Sequence, residues 1–224
     1  MTLSIAAWDE SSGQLGAIIS SSSPSVSSRC LHWRPGVGIA LSQNITDPRL
    51  GPRMLSLLAD GVEVNAAVDA VVHSTPYIKY RQLGLIDAEG NTGGYTGAGV
   101  LGCFASAEGR HCVAAGNLLA NESVPGAMVS SFASSQGSFG SRLLAALVAG
   151  IEAGGEAGPV HSAGMLIGGD PTWPLAELRI DWDDDPVAKM QAGWIVYEPQ
   201  IEDYITRAYN PQAAPAYGVP GDPE

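Results

Sequence analysis

Helical stripes in this chain come in pairs, and each pair separates one group of short strands from the next. Met54, Leu55, Leu57 and Leu58 make the first stripe, with Pro52 suited to the opening helical position and Gly61 as the stop. Val64, Ala67, Val68, Val71 and Val72 recur at i, i+3, i+4, i+7 and i+8, which predicts a second helix ending near Thr75-Pro76. The second pair covers 122–134 and 138–153, where Leu143, Leu144, Leu147, Val148 and Ile151 share one face and Gly154-Gly155 closes the helix. Strands are expected at 2–8, 15–19, 36–42, 80–87, 92–96, 111–116, 161–167 and 175–181. A last helix runs from Pro186 to Tyr197 and resumes to Tyr209. Strands that do not alternate singly with helices argue against a doubly wound parallel sheet. Sheets covered by helical layers, an α+β fold, suit this order better.

The chain has 224 residues, enough for one substantial core, and 45% of them are hydrophobic against 15% charged. That balance excludes a disordered chain. Residues 1–210 read as one domain, and 211–224, with four prolines and no apolar period, as an extended arm. Eleven Lys and Arg against 23 Asp and Glu leave a net charge of −12, a field that repels nucleic acid and anionic membrane surfaces. No run reaches the ~18 apolar residues of a membrane span. The opening nine residues lack a positive region and meet Asp9, so no signal peptide is expected and the location expected is cytoplasmic. Cys30, Cys103 and Cys112 are odd in number and form no Cys-x-x-Cys, as expected of reduced thiols in a cytosolic protein.

Several motifs fall to their structural context. Gly97-Ala98-Gly99-Val100-Leu101-Gly102 matches a dinucleotide fingerprint, but the turn Glu108-Gly109-Arg110 leaves no room for the helix that must come after it. A close backbone approach is the better account of it. The acids Asp181, Asp183, Asp184 and Asp185 fail as a calcium loop, since Pro186 stands at the glycine position and Ala192 at the closing glutamate. Asp185 is instead expected to cap a helix opening at Pro186. His32, His73, His111 and His161 show no zinc spacing, and there is no Gly-x-Ser-x-Gly elbow. No metal site and no cofactor are expected.

Thr2 carries chemistry of a different kind. Removal of the initiator Met is expected before a small residue, and it would leave a threonine with a free α-amine beside its own hydroxyl. An α-amine titrates near about 7.7–8.0, so near neutrality much of it is a competent base for the hydroxyl proton. That pairing is the N-terminal threonine form of nucleophilic catalysis. A strand starting at Leu3, with no flexible leader expected, would hold it in fixed geometry.

The assembled fragments resemble a bacterial family called domain of unknown function 1028, over about residues 2–190. The resemblance runs through Thr2-Leu3-Ser4-Ile5-Ala6-Ala7, Gly13-Gln14-Leu15-Gly16, Gly36-Val37-Gly38, Ser42-Gln43-Asn44 and Gly51-Pro52-Arg53. It continues in Arg81-Gln82-Leu83-Gly84, Thr96-Gly97-Ala98-Gly99, Ala115-Gly116-Asn117-Leu118-Leu119 and Leu178-Arg179-Ile180-Asp181. The family is grouped with the N-terminal nucleophile hydrolases, so the resemblance implies a four-layer αββα sandwich and amide-bond hydrolysis by Thr2. It also implies Asn117 as a donor to the oxyanion or substrate, with Asn121 close behind. One such amide donor supplies about 3–4 kcal/mol. Gln43 and Asn44, ending a strand, suit the same task, and Thr96 and Gly97 complete the substrate-binding set. Arg81 suits a bidentate clamp on a substrate carboxylate, or a pairing with an internal acid such as Asp181.

Two features depart from the family. Ser20 to Arg29 is unusually serine-rich, and no lysine near the start can assist the nucleophile. The implied partner is a small amide or peptide-like substrate; the apolar stripes and tail suit a homodimer with exchanged arms, and the tail equally suits a disordered end. A non-catalytic module of the same fold, binding a peptidoglycan fragment or an amino-acid-derived ligand, is the alternative. A metal-dependent hydrolase using the histidines and aspartates is a third.

Overall fold

The computed structural model describes residues 1–221. The last three residues of the expected C-terminal arm lie outside them. β1 (Thr2–Asp9) and β2 (Gln14–Ser21) form the expected hairpin, with Gly13 at φ 69° in its turn. After it come α1 (Val26–Cys30), β3 (Leu31–Arg34), β4 (Gly38–Asn44), α2 (Leu50–Ala59) and α3 (Val64–Ser74). Next are β5 (Arg81–Asp87), β6 (Thr92–Thr96), β7 (Cys103–Gly109), β8 (Cys112–Leu119), α4 (Val124–Ser134) and α5 (Phe139–Glu152). The chain closes with β9 (Ser162–Gly168), β10 (Ala176–Ile180), α6 (Pro186–Tyr197) and α7 (Ile201–Tyr209).

Three of these were not anticipated. α1 lies in the serine-rich stretch and β3 directly after it, where polar residues and only four strand positions leave no apolar period to recognise. β7 alternates half-buried Cys103, Ala105 and Ala107 with exposed Phe104, Ser106 and Glu108, so its inner face is made of small side chains. α2 begins at Leu50 rather than Pro52, which places the proline third in the helix. First-turn N–H groups have no intrahelical acceptor, so a proline is tolerated there. Asp185 Oδ1 accepts from the Ala188 amide at 3.2 Å, the cap expected at the start of α6.

All strand pairings are antiparallel. One sheet has the order β10-β9-β2-β1-β8-β7 and the other β3-β4-β5-β6. Leu3, Ile5, Ala7 and Ile18 of the larger sheet pack under Met128, Phe132, Leu143, Leu147 and Trp194 of α4, α5 and α6. Ala40, Leu83 and Leu85 of the smaller sheet pack under Met54, Leu55, Val68 and Val71 of α2 and α3. Between the sheets, Ala6, Ala17, Ile19 and Val113 meet Ile39, Leu41 and Ile86. The layers run helix, sheet, sheet, helix: the αββα sandwich that the resemblance implies. Burial of each large aliphatic side chain stabilises it by about 1.5–3 kcal/mol.

Candidate functional site

Alternation along β1 decides which side chains face the second sheet. Leu3, Ile5 and Ala7 point to the helices, so Thr2, Ser4 and Ala6 point inward between the sheets. Thr2 is the first residue of this row, on a central strand, directly opposite Asn117 of β8 and beside the Ser21 end of β2. It is only 5% exposed. Its Oγ1 donates to the Met1 carbonyl at 2.5 Å and lies 3.4 Å from Ser21 Oγ. Ser21 Oγ donates to the same Met1 carbonyl and accepts from the Ser23 amide at 3.1 Å. Half-buried Met1 thus covers Thr2, with two hydroxyls gathered on its carbonyl oxygen.

Behind Thr2 a chain of buried amides ties the two sheets together. Ser4 Oγ donates to Gln43 Oε1 at 2.7 Å, and Gln43 Nε2 donates to Gln82 Oε1 at 2.9 Å. Asn117 Nδ2 donates to that same Gln82 oxygen at 3.1 Å. Gln82 Nε2 reaches the Gly116 and Ala105 carbonyls and Thr96 Oγ1 at 3.1–3.3 Å. Ser4, Gln43, Gln82 and Asn117 are all buried, so each of these bonds offsets a desolvation that would otherwise go uncompensated. Asn117 Oδ1 is left without a hydrogen-bond partner among the described residues.

Past Asn117 the strand turns. Leu118 has φ 52°, a left-handed conformation costly for a leucine, and its amide donates to the Leu101 carbonyl. Its carbonyl accepts from Ala157, and Leu119 bridges Glu156. That pairing carries Glu156 to the end of β1. The residue is 6% exposed; Oε2 accepts from the Ser22 amide at 3.1 Å, and Oε1 has no partner among the described residues. Burial pushes its carboxyl up to about 7, opposed by the chain's terminal amine and by Ser22.

The structure thus brings Thr2, Asn117, Gln43 and Thr96 into one connected region. Asn44, Arg81 and Gly97 form a second cluster, holding loops together. Asn44, at φ 74°, donates to the Tyr80 carbonyl at 2.6 Å and accepts from the Leu101 amide at 3.3 Å. Gly97 lies so close to Lys79 that a Cβ would sit 2.2 Å from its carbonyl oxygen, the close approach expected of the glycine-rich turn. Arg81 Nη1 donates to the Ile45 carbonyl. It does not pair with Asp181, which belongs to the other sheet's margin and binds Arg179 at 2.8 Å. The acid that feels Arg81 is Asp47, held at about 2 first by hydrogen bonds from Arg49 and, against burial, by the charges of Arg49 and Arg81. Asn121 lies apart, stapling the Ala153 carbonyl at 2.8 Å and accepting from Ser123.

Sequence inspection missed Ser21 and Glu156. The only signal for Glu156 is a lone acid within Gly154-Gly155-Glu156-Ala157-Gly158, a weak one. Among the described residues no three His, Cys, Asp or Glu side chains are gathered to hold a metal ion, and no helix is long and apolar enough to cross a membrane. A cleft of about 460 Å³, lined by Trp8, Asp9, Arg110, His111 and Arg142 among others, opens at the far end of β1 from Thr2.

A crystal structure of protein SPO2555 from Silicibacter pomeroyi, of the DUF1028 family, superposes with a TM-score of 0.81 at 31% identity, covering 89% of this chain and 88% of that one. The ancestral beta-subunit Anbu from Yersinia bercovieri superposes more loosely, with a TM-score of 0.40 and 14% identity over 90% of this chain and 97% of the other. No curated protein matches. The model of the family of unknown function DUF1028 matches residues 2–190, nearly the whole of the sandwich, and with the agreement in fold and in sequence this chain belongs to that family.

Proposed function

We propose that this chain hydrolyses an amide bond with Thr2 as nucleophile and base, once Met1 has been removed. The observation that carries the proposal is the seat of Thr2: the first residue of a central strand, held between β2 and β8, with its hydroxyl already directed at a carbonyl oxygen. Removal of Met1 exposes the hydroxyl and frees the amine on the same residue. The amine takes the Oγ1 proton as Oγ1 attacks the substrate carbonyl carbon. The carbon–nitrogen bond then breaks, the amine product leaves with that proton, and water hydrolyses the resulting ester. Ser21, with its hydroxyl beside Thr2, supports the developing negative charge on the carbonyl oxygen. Gln43 and Asn117 support the strand geometry through Gln82.

A second reading, a non-catalytic binding module, is favoured by one feature. Asn117 Nδ2 donates to Gln82 Oε1, and among the described residues its side chain makes no hydrogen bond to residue 2. Intact mass together with labelling separates the two. For a hydrolase, the mature protein begins at Thr2 and an electrophilic β-lactone adds to it covalently, whereas Thr2→Ala is not labelled. Retained Met1, or a free Thr2 that never reacts, sinks the hydrolase in favour of the binding module.

A further inference from the structure

We propose that Met1 marks the place of the substrate's acyl half, and that the site takes α-aminoacyl amides whose free ammonium group is bound by Glu156 and whose unbranched apolar side chain lies on Gly158. This rests on the Thr2 hydrolase reading above.

Met1 is itself an α-aminoacyl group in amide linkage, and its carbonyl and its side chain each have a defined neighbour. Its carbonyl oxygen receives Thr2 Oγ1 at 2.5 Å and also Ser21 Oγ. Its side chain rests where position 158 has none, since a Cβ there would come 3.1 Å from Met1 Cε and 3.5 Å from Sδ. Its amine lies within the electrostatic field of Glu156. That carboxylate is fastened through Oε2 to Ser22, the neighbour of the serine that grips the carbonyl, while Oε1 is buried and unpartnered among the described residues. A buried carboxylate oxygen of this kind is best compensated by a cation that donates hydrogen bonds.

In the acyl-enzyme the acyl carbon sits on Thr2 Oγ1, close to the Thr2 nitrogen that now carries the Met1 carbonyl. An incoming acyl group therefore meets the surroundings Met1 now has. An ammonium beside its carbonyl falls toward Glu156, and a straight apolar chain passes over Gly158. An N-acylated substrate brings no cation and leaves Oε1 buried without a partner.

The test uses the processed protein with two substrates, methionine p-nitroanilide and N-acetylmethionine p-nitroanilide. The expected result is a kcat/KM higher for the free amine by about 30-fold, the scale of a hydrogen bond to a charged group. Glu156→Gln should collapse that ratio toward one, and Gly158→Val should lower turnover of methionine p-nitroanilide relative to glycine p-nitroanilide assayed alongside it. The substrate pair in the wild type decides the matter even if neither variant folds. Equal turnover of both substrates overturns the assignment of Glu156 and leaves the hydrolase standing. No turnover, with no β-lactone adduct on Thr2, overturns the hydrolase reading itself.

Discussion

Asn117 on β8 stands directly opposite Thr2 on β1, and its side-chain amide donates to Gln82 rather than to residue 2. Opposed residues of an antiparallel pair share a face, so the hydroxyl and the amide both look between the sheets. One begins the strand and the other joins a buried polar chain. Thr2 is the residue on which the proposed chemistry rests, and Asn117 is tied to the inter-sheet network through Gln82.

Replacing Thr2 with Val removes the hydroxyl and keeps the shape. Turnover and β-lactone labelling should vanish, and stability should change by no more than about 1 kcal/mol. Thr2→Ser should retain part of the activity, since hydroxyl and amine both remain. Turnover assays and chemical denaturation on the three proteins check this; activity in Thr2→Val defeats the assignment.

Gln82 is the hub of the inter-sheet network, accepting from Gln43 and Asn117 and donating to Thr96, Ala105 and Gly116. Gln82→Leu strands several buried polar groups at once. Its expected cost is about 3–5 kcal/mol, read from the urea midpoint at constant slope. A loss below about 1 kcal/mol means the network is not what joins the sheets here.

Glu156 gives a pH signature in the Met1-bearing chain. Its folded carboxyl lies at about 7 against 4.5 when free, because burial penalises its charge. The folded state holds this proton more tightly, so the contribution of Glu156 is complete below pH 4.5 and is lost as pH rises toward 7. Glu156→Gln has no proton to lose. Relative to wild type it should gain little at pH 4 and about 3 kcal/mol by pH 8. Denaturation across that range checks it, and a difference that stays flat with pH is incompatible with a raised carboxyl.

Asp9 behaves in the opposite sense. Burial raises its carboxyl, but hydrogen bonds from Ser11, Ser12 and Arg142 outweigh this and hold it below the usual value. Its stabilisation is present above pH 3.8 and disappears as the solution is acidified through the lowered value. The pair with Arg142 is 2.8 Å long with side chains 11% and 22% exposed, and Asp9→Asn leaves that guanidinium unpaired. The expected cost is about 2 kcal/mol at pH 7, shrinking in acid. A cost of the same size at pH 2 and pH 7 contradicts the ion pair.

Caps, turns and periods were readable because they depend on neighbours in sequence. The stripe Leu143–Ile151 appears as α5, Asp185 caps α6, and the Gly97 turn makes its close approach. β3 and β7 escaped notice because a four-residue strand and a face of small side chains carry almost no apolar alternation. Asn44, Arg81 and Asn121 are polar residues at element ends, a setting shared by ligand contacts and by loop staples. Sequence alone cannot tell the two apart; in the structure these side chains bond the carbonyls of Tyr80, Ile45 and Ala153.

By itself the sequence determined the order of helix pairs and strand groups, which comes from side-chain periodicity; the four-layer sandwich and the weight given to Thr2 came with the family resemblance. Only the tertiary structure decided what surrounds that residue. Ser22 and Glu156 meet across 134 positions, through a left-handed turn at Leu118 that no local pattern announces. A buried carboxylate acquires its environment from chain segments far away along the polypeptide, and that environment exists only once both sheets have closed.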